Sequence, residues 1–411
     1  MSKGNPNRWV VAVGAGFLLN LMLGIVYAWG VFVKPLMAEF GWTKTITTLP
    51  FTVFLALFAL MMVPAGRLQD RQGPRKIAMI GGILMGLGLI LASFVTSIRS
   101  HWWLILTYGV ISGAGCGFGY ATPIPCVRKW FPDKPGLAVG LVVMGFGLSA
   151  LLFAPLEASL IASRGMAQTF LICGSIILIV AIAAASLLRN PPEGWKPEGW
   201  QPPQATVVKP QTVDYLFSEM LKTPQFYLLW LIFCFGATAG LMTIGHIAAF
   251  AKESGMGVMT AAFAASVLSV ANASGRPGAG FISDKLGRTR TMMIVFVLQA
   301  ILMSILIKCT NVTSLYSVVV GIGFMYGSCF ALFPSVTADF FGTKNLGVNY
   351  GAIFTSYGVG GIIGPILGAL VYDKTGNYSA AFQTAGILCL IAAVLTLITK
   401  HPHRALLKTP N

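Results

Sequence analysis

Twelve long apolar stretches occupy most of the 411-residue chain, and they constrain its fold more than any other feature. A helix that crosses the hydrocarbon core of a bilayer needs about 20 mostly apolar residues. Stretches near that length lie at residues 9–33, 45–65, 77–98, 102–126, 136–163, 166–188, 225–251, 258–282, 290–308, 313–338, 346–372 and 378–399. We therefore predict an all-α membrane protein with twelve transmembrane helices and little chain left for a soluble domain.

The distribution of charge predicts how the chain is oriented in the membrane. The net charge is +16, which in a soluble protein would suggest a nucleic-acid partner. Here 20 lysines and arginines fall in the loops on the side of both termini and 7 fall in the loops on the other side. Because cationic loops stay in the cytoplasm, we expect a multi-pass protein with both termini cytoplasmic. The lipid bilayer then accounts for the charge, and no nucleic-acid partner is expected.

Residue types that would carry catalysis or bind a metal are not grouped along the sequence. The seven cysteines are scattered through apolar stretches without any C-x-x-C spacing, which favours packing roles over a metal site or a disulfide framework. No His/Asp/Glu cluster and no nucleophile with a neighbouring base accompanies them. We predict a protein that is not an enzyme and that needs neither a metal nor another cofactor.

An internal repeat divides the apolar stretches into two equivalent sets. The segment GRLQDRQGPRK at 66–76 is echoed by GFISDKLGRTR at 280–290, and the two starts are 214 residues apart. Each copy follows the second stretch of its half, where the glycines allow a tight turn and the aspartates can bind helix-end amides or neighbouring cations. The candidate gating residues of the two copies are Gly66, Asp70, Arg71, Gly73, Asp284, Gly287 and Arg288. Two parallel repeats with this turn resemble the major facilitator superfamily, which implies two pseudo-symmetric six-helix bundles.

The same pattern predicts four sections of chain. Residues 1–188 form the first six-helix bundle, and 225–400 form the second. Residues 189–224 form a cytoplasmic linker, because six prolines lie between 189 and 210, and Val213 to Leu221 has the pattern of a short interfacial helix. Residues 401–411 form a cytoplasmic tail.

Arg276 is the one cation that cannot be assigned to a loop. An arginine at the centre of a spanning helix costs roughly 2.5 to 3.5 kcal/mol on insertion scales, so one retained there indicates function. The alternatives are that it reaches the membrane interface or pairs with a buried acid. Asn272 precedes it by one turn and Ser269 by a further three residues, which gives one polar stripe on an apolar helix. A guanidinium fork matches a carboxylate, so the stripe predicts a site for a small organic anion.

Polar aromatic side chains on other stretches are candidates for the same cavity, although a buried tyrosine is more often a packing residue. The substrate-binding candidates besides Arg276 and Asn272 are Tyr27, Tyr120, Tyr326, Phe330 and Tyr357. Two titratable residues nearer the outer ends of their stretches, Glu157 and His246, are candidates for carrying a proton.

Three segments make the resemblance more specific. KWFPDKPGLAVGLVVMGFG at 129–147, GIVYAW at 24–29 and NASGRPGAGFISDKLGR at 272–288 are similar to signatures of the monocarboxylate transporters and the related bacterial oxalate/formate exchangers. The resemblance implies that Arg276 binds the substrate. It also marks two departures. Asn272 stands where animal proton-coupled members have an aspartate, and Tyr357 stands where the exchangers have a lysine.

We therefore expect a functional monomer that carries small monocarboxylates such as lactate and pyruvate by alternating access, with a proton as the coupled ion. A dianion in a dry cavity needs two cations, and only Arg276 is available, which favours a monoanion. The alternative is an organic anion exchanger of the oxalate/formate type.

Overall fold

The computed structural model describes residues 7–200 and 213–402, and within these ranges the regular structure is helical. The first helix, α1, spans Trp9–Ala28 and is followed by a continuation at Gly30–Phe40. The others are α2 Lys44–Gln72, α3 Pro74–Ile98, α4 His101–Trp130, α5 and α6 within Pro135–Leu187, α7 Pro224–Glu253, α8 Val258–Leu286, α9 Arg288–Leu306, α10 Val312–Phe341, α11 Leu346–Thr375 and α12 Tyr378–Ile398.

The number of helices matches the number of apolar stretches. Within the described ranges, ten helical segments are long and apolar enough to cross a membrane. One of these ten, Pro135–Leu187, is two helices that meet at Gly165, which makes eleven. The helix α8, Val258–Leu286, is not among the ten and is the twelfth. The prediction of an all-α membrane protein with twelve helices is confirmed.

Glycines at positive φ end helices where the sequence predicts breaks. Gly165 has φ 80° and separates α5 (135–164) from α6 (166–187). Gly73 and Gly287, at φ 83° and 88°, separate α2 from α3 and α8 from α9, at equivalent points of the internal repeat. Because a side chain with a Cβ is strained in this conformation, these turns depend on glycine.

The interfacial helix predicted at 213–221 is shorter in the structure, so the predicted length is wrong. The structure limits it to Phe217–Met220, residues 213–216 have no regular structure, and Leu216 is extended. The backbone N–H of Tyr215 donates to the Phe341 carbonyl at 2.9 Å, and Asp214 accepts from the Lys344 N–H at 3.0 Å. These bonds hold residues 214 and 215 against the α10–α11 connection. Parts of the predicted linker and tail, 201–212 and 403–411, lie outside the described residues.

Two aspartates of the repeat join the halves at the end of the bundle that holds both ends of the described chain, here named the terminal side. Asp70 of α2 accepts from the backbone N–H groups of Gly347 and Val348 at the start of α11, at 3.0 and 2.9 Å. Asp284 of α8 accepts from Gly136 and Leu137 at the start of α5, at 2.9 and 3.0 Å. Each carboxylate binds free amides at the positive end of a helix in the other half, so the two contacts are equivalent by pseudo-symmetry.

Glycines bring these helices close enough for the aspartates to reach. A Cβ on Gly347 would lie 2.6 Å from the Gly66 carbonyl oxygen, and a Cβ on Gly136 would lie 2.5 Å from the carbonyl oxygen of Gly280. Side chains at these positions would push the halves apart.

We name the contacts of Asp70 and Asp284 with the opposite half the aspartate clamps. The clamp at Asp284 is extended by a network of ion pairs. Arg288 donates to Asp284 at 2.6 Å and to Asp339 at 3.0 Å, and Asp339 also pairs with Arg128 of the first half. The first repeat has Pro74 where the second has Arg288, so the α2 clamp has no matching arginine. Arg71 is exposed and lines a small pocket beside that clamp.

Candidate substrate-binding site

A cavity of about 410 Å³ lies between the two halves. Thr48 and Phe51, near the start of α2, form part of its wall, and α2 starts at the end of the bundle opposite to the terminal side. Its other walls come from α1, α5, α7 and α8, and they are mostly apolar. The cavity is therefore on the side away from the aspartate clamps, and its volume suits a small ligand.

The polar stripe of α8 reaches this cavity. Ser269 and Asn272 line the wall, and Arg276 follows one turn deeper, with no exposed surface. The Nε and Nη2 groups of Arg276 donate to the Asn272 Oδ1 at 3.3 and 3.0 Å, and Nη1 donates to the Val143 carbonyl at 2.6 Å. The guanidinium thus joins α8 of the second half to α5 of the first.

Arg276 is the one buried cation within the described ranges, and no carboxylate there pairs with it. Within these ranges, the side chain of Arg276 therefore neither reaches the membrane interface nor pairs with a buried acid, which were the two alternatives to a functional role. The Phe330 ring lies 4.3 Å from the guanidinium carbon and the Phe146 ring lies 6.0 Å away. Aromatic faces compensate a desolvated cation by only about 2 kcal/mol, so most of the cost of burying this charge is not offset by the rings.

Hydrogen-bond donors remain free at this position. A guanidinium has five N–H donors, and three are used by Asn272 and Val143. Because arginine only donates, the oxygen of the Asn272 amide must face it, which leaves the amide nitrogen for the cavity. The Tyr27 hydroxyl also interacts with the guanidinium, so the remaining N–H groups and the amide nitrogen can bind either this hydroxyl or the oxygens of a ligand.

The predicted aromatic residues cluster around Arg276. The hydroxyls of Tyr27 and Tyr357 are 3.1 Å apart, and Tyr27 lines the cavity. Tyr326 packs its ring on Phe330 at 5.5 Å, and Tyr120 packs on Phe146 at 5.3 Å. Within the described residues, the buried hydroxyls of Tyr120 and Tyr326 have no hydrogen-bond partner.

A layer of aromatic rings closes the inner end of the cavity, and three of its members, Phe58, Phe146 and Phe233, are not among the residues predicted from the sequence. Phe58 of α2 lies between the cavity residue Phe51 and the clamp residue Asp70, and its ring is 5.1 Å from that of Phe354 on α11. We name this set the aromatic layer: Phe58, Tyr120, Phe146, Phe233, Phe354 and Tyr357. It separates the cavity from the terminal side.

The two candidate proton carriers do not line the cavity. Glu157 on α5 is 2% exposed, and its Oε2 has no partner among the described residues. Tyr108, which interacts electrostatically with Glu157, packs at 4.2 Å on Trp29, a residue of the cavity wall. His246 donates from Nε2 to the Pro365 carbonyl at 3.1 Å, which joins α7 to α11 within one half.

Comparison with known families gives a match over nearly the whole chain. The model described as Major Facilitator Superfamily matches residues 13–363 and 247–411. Among solved structures, the transporter FucP in its outward conformation has a similar fold, with a TM-score of 0.72 and 16% sequence identity, over 96% of this chain and 100% of that one.

Three relatives share more of the sequence. An uncharacterized MFS-type transporter of Escherichia coli, YhjX, is 30% identical over 88% of this chain and 87% of its own. The oxalate:formate antiporter of Oxalobacter formigenes is 30% identical over 95% of this chain and 90% of its own. Monocarboxylate transporter 13 of Bos taurus is 26% identical over 96% of this chain and 89% of its own.

Proposed function

The chain belongs to the major facilitator superfamily, and from that premise we propose that it carries small monocarboxylates such as lactate and pyruvate across the bacterial inner membrane. The observation that carries the proposal is Arg276, a buried cation without a carboxylate partner beside a cavity between the halves. A substrate carboxylate would compensate the charge of the guanidinium and would accept two parallel N–H bonds from it.

The transport cycle follows from the position of the cavity. The cavity is on one side of Arg276, and the aromatic layer and the aspartate clamps close the other side. We assign the terminal side to the cytoplasm, because most loop cations lie there. The described conformation is then outward-facing. Breaking the two clamps while the outer walls approach each other exposes Arg276 to the cytoplasm, within a single chain acting as a monomer.

Uptake by proteoliposomes tests this function directly. Purified protein in liposomes is expected to accumulate labelled lactate or pyruvate above protein-free liposomes, and unlabelled substrate outside should compete. If no acid of a short-chain panel enters faster than in protein-free liposomes, the proposal is wrong.

We further propose that Glu157 carries the coupled proton. A buried carboxylate without a donor or a cation is unstable in its charged form, so the group takes a proton when its surroundings are dry and releases it when they are hydrated. Among the described residues, Tyr108 and Cys173 interact electrostatically with it, and neither supplies a positive charge. The packing of Tyr108 on Trp29 connects Glu157 to the wall that must move when the outer side closes.

Replacement of Glu157 separates proton-driven uptake from exchange. In Glu157→Gln, lactate uptake with and without an inward proton gradient is expected to become equal, while lactate counterflow continues, because exchange needs no net proton movement. Glu157→Asp should retain stimulation by the gradient. Glu39→Gln, an exposed acid near the open side, is the matched control. Unchanged gradient-driven accumulation in Glu157→Gln would assign the proton to another group.

Anion exchange is the second candidate, and the neutral Asn272 favours it. Without a carboxylate beside Arg276, the empty carrier must move an uncompensated cation through a closed state, whereas the loaded carrier moves a neutral pair. The oxalate:formate antiporter is among the relatives. Counterflow without any response to a proton gradient in the unmodified protein would select exchange over symport.

A further inference from the structure

A second pocket, separate from the transport cavity, lies at the terminal side of the second half. Its volume is about 550 Å³, and it is bounded by the start of α9, the end of α10 and the end of α12. Arg290 lies on α9, Phe340 on α10, and Lys400 and His401 follow α12. The transport cycle proposed above makes no use of these residues.

The pocket is cationic on one side. Arg290 and Lys400 form no ion pair within the described residues. Asp339 is the nearby acid, and its carboxylate is already paired with Arg128 and Arg288. His401 lies on the same side, held by a 2.8 Å hydrogen bond between Nε2 and the Asp339 carbonyl. The side chains therefore present two uncompensated positive charges.

The other side of the pocket is apolar and continues into a lipid-facing surface. Met293, Phe340 and Leu397 line it, and Leu397 is 62% exposed. The next residue, Ile398, is 58% exposed. Leu397 and Ile398 are the last apolar residues of α12 before Lys400, so the basic groups lie at the level where a spanning helix meets lipid headgroups.

We propose that this pocket binds the phosphate group of an anionic phospholipid from the leaflet on the terminal side. Arg290 and Lys400 bind the phosphate, the hydroxyl of Thr289 lies beside them as a further donor, and an acyl chain lies along Leu397 and Phe340. A free phosphate ion satisfies the two cations but leaves the apolar side uncovered. Basic groups and an adjoining apolar groove together therefore favour the lipid.

Lipid titration of the purified, delipidated protein tests this site. We expect phosphatidylglycerol to bind more tightly than phosphatidylcholine when binding is measured by native mass spectrometry and by the shift in melting temperature. In the double variant Arg290→Gln, Lys400→Gln, the affinity for phosphatidylglycerol should fall roughly 30-fold, which is about 2 kcal/mol for two interfacial charges. The double variant Lys76→Gln, Lys222→Gln removes two exposed cations of the terminal side outside the pocket, and it should retain the affinity of the unmodified protein.

Inorganic phosphate distinguishes the two sources of the anion. If it competes with phosphatidylglycerol at equal concentration, the pocket is a site for a free anion, and the lipid proposal is wrong. Equal loss of affinity in the two double variants would attribute binding to the total charge of the surface and would also overturn the proposal. Because neither residue pair contacts the transport cavity, lactate counterflow in both variants checks that the protein is folded.

Discussion

Replacing Arg276 with alanine is expected to reduce lactate uptake by about two to three orders of magnitude. The substrate carboxylate would then enter a buried site without its cation, and truncating one partner of a buried, hydrogen-bonded charge pair costs about 2 to 5 kcal/mol. At 1.4 kcal/mol per factor of ten, this removes nearly all transport at micromolar substrate. Initial rates of labelled lactate uptake into proteoliposomes measure the effect.

The same variant should insert and fold. Arg276 has no carboxylate partner among the described residues, so its removal leaves no buried acid uncompensated. The lost bonds to Asn272 and Val143 are made with neutral groups. A single symmetric peak in size-exclusion chromatography and a melting temperature close to that of the unmodified protein are the expected controls.

Arg276→Lys distinguishes the need for a charge from the need for a planar fork. Lysine supplies a compact cation that cannot bind Asn272, the Val143 carbonyl and a carboxylate in one plane, so uptake should remain strongly impaired. Arg164→Ala, which removes an exposed cation at the end of α5, is the matched control and should transport normally. Lactate uptake near the normal rate in either Arg276 variant would place the substrate elsewhere.

The repeat predicted the tight turns and the kind of group that the aspartates bind, because short-range chemistry defines both. Gly73 and Gly287 were assigned to tight turns, and both have positive φ. The pattern predicts helix-end amides or neighbouring cations as partners of Asp70 and Asp284; both bind helix-end amides, and Asp284 also pairs with Arg288. The sequence could not indicate that each aspartate binds a helix of the opposite half, because that depends on how the two bundles pack.

The part of the site that lies on a single helix, α8, could be predicted from the sequence. Helical spacing alone places Asn272 one turn from Arg276, and the structure joins them through two hydrogen bonds. The phenylalanines Phe58, Phe146 and Phe233 of the aromatic layer could not be found in this way. Phe58 and Phe233 lie on different helices, each within an apolar sequence. In such a sequence, a phenylalanine that closes a cavity cannot be distinguished from one that faces lipid.

Monocarboxylates are expected to compete with lactate far more strongly than oxalate or malonate. Arg276 is the one buried cation of the described residues, and the neutral Tyr357 hydroxyl bonds to Tyr27 at 3.1 Å. The first carboxylate of a diacid pairs with the guanidinium, but the second must be desolvated against tyrosine and phenylalanine. An unpaired buried ion costs several kcal/mol even after relaxation, which corresponds to orders of magnitude in affinity.

Two variants of Tyr357 examine the same argument from the protein side. Tyr357→Phe removes the hydrogen bond to Tyr27 and should weaken lactate binding by about threefold to tenfold, the effect of one neutral hydrogen bond. Tyr357→Lys adds a second cation near Arg276 and should shift preference toward oxalate, provided that the lysine keeps its proton.

The unmodified protein gives the most direct measurement. Inhibition of labelled lactate uptake by acetate, pyruvate, oxalate and malonate is compared at a pH where both carboxyl groups of the diacids are ionised. Acetate and pyruvate test the single carboxylate, and oxalate adds a second charge with almost no increase in length, so a steric explanation is excluded for it. With one guanidinium in the site, oxalate should inhibit only at concentrations at least 100-fold above those of pyruvate, about 3 kcal/mol. Equal inhibition by oxalate and pyruvate would mean that a second group compensates the second charge, and it would favour exchange of dianions over transport of monocarboxylates.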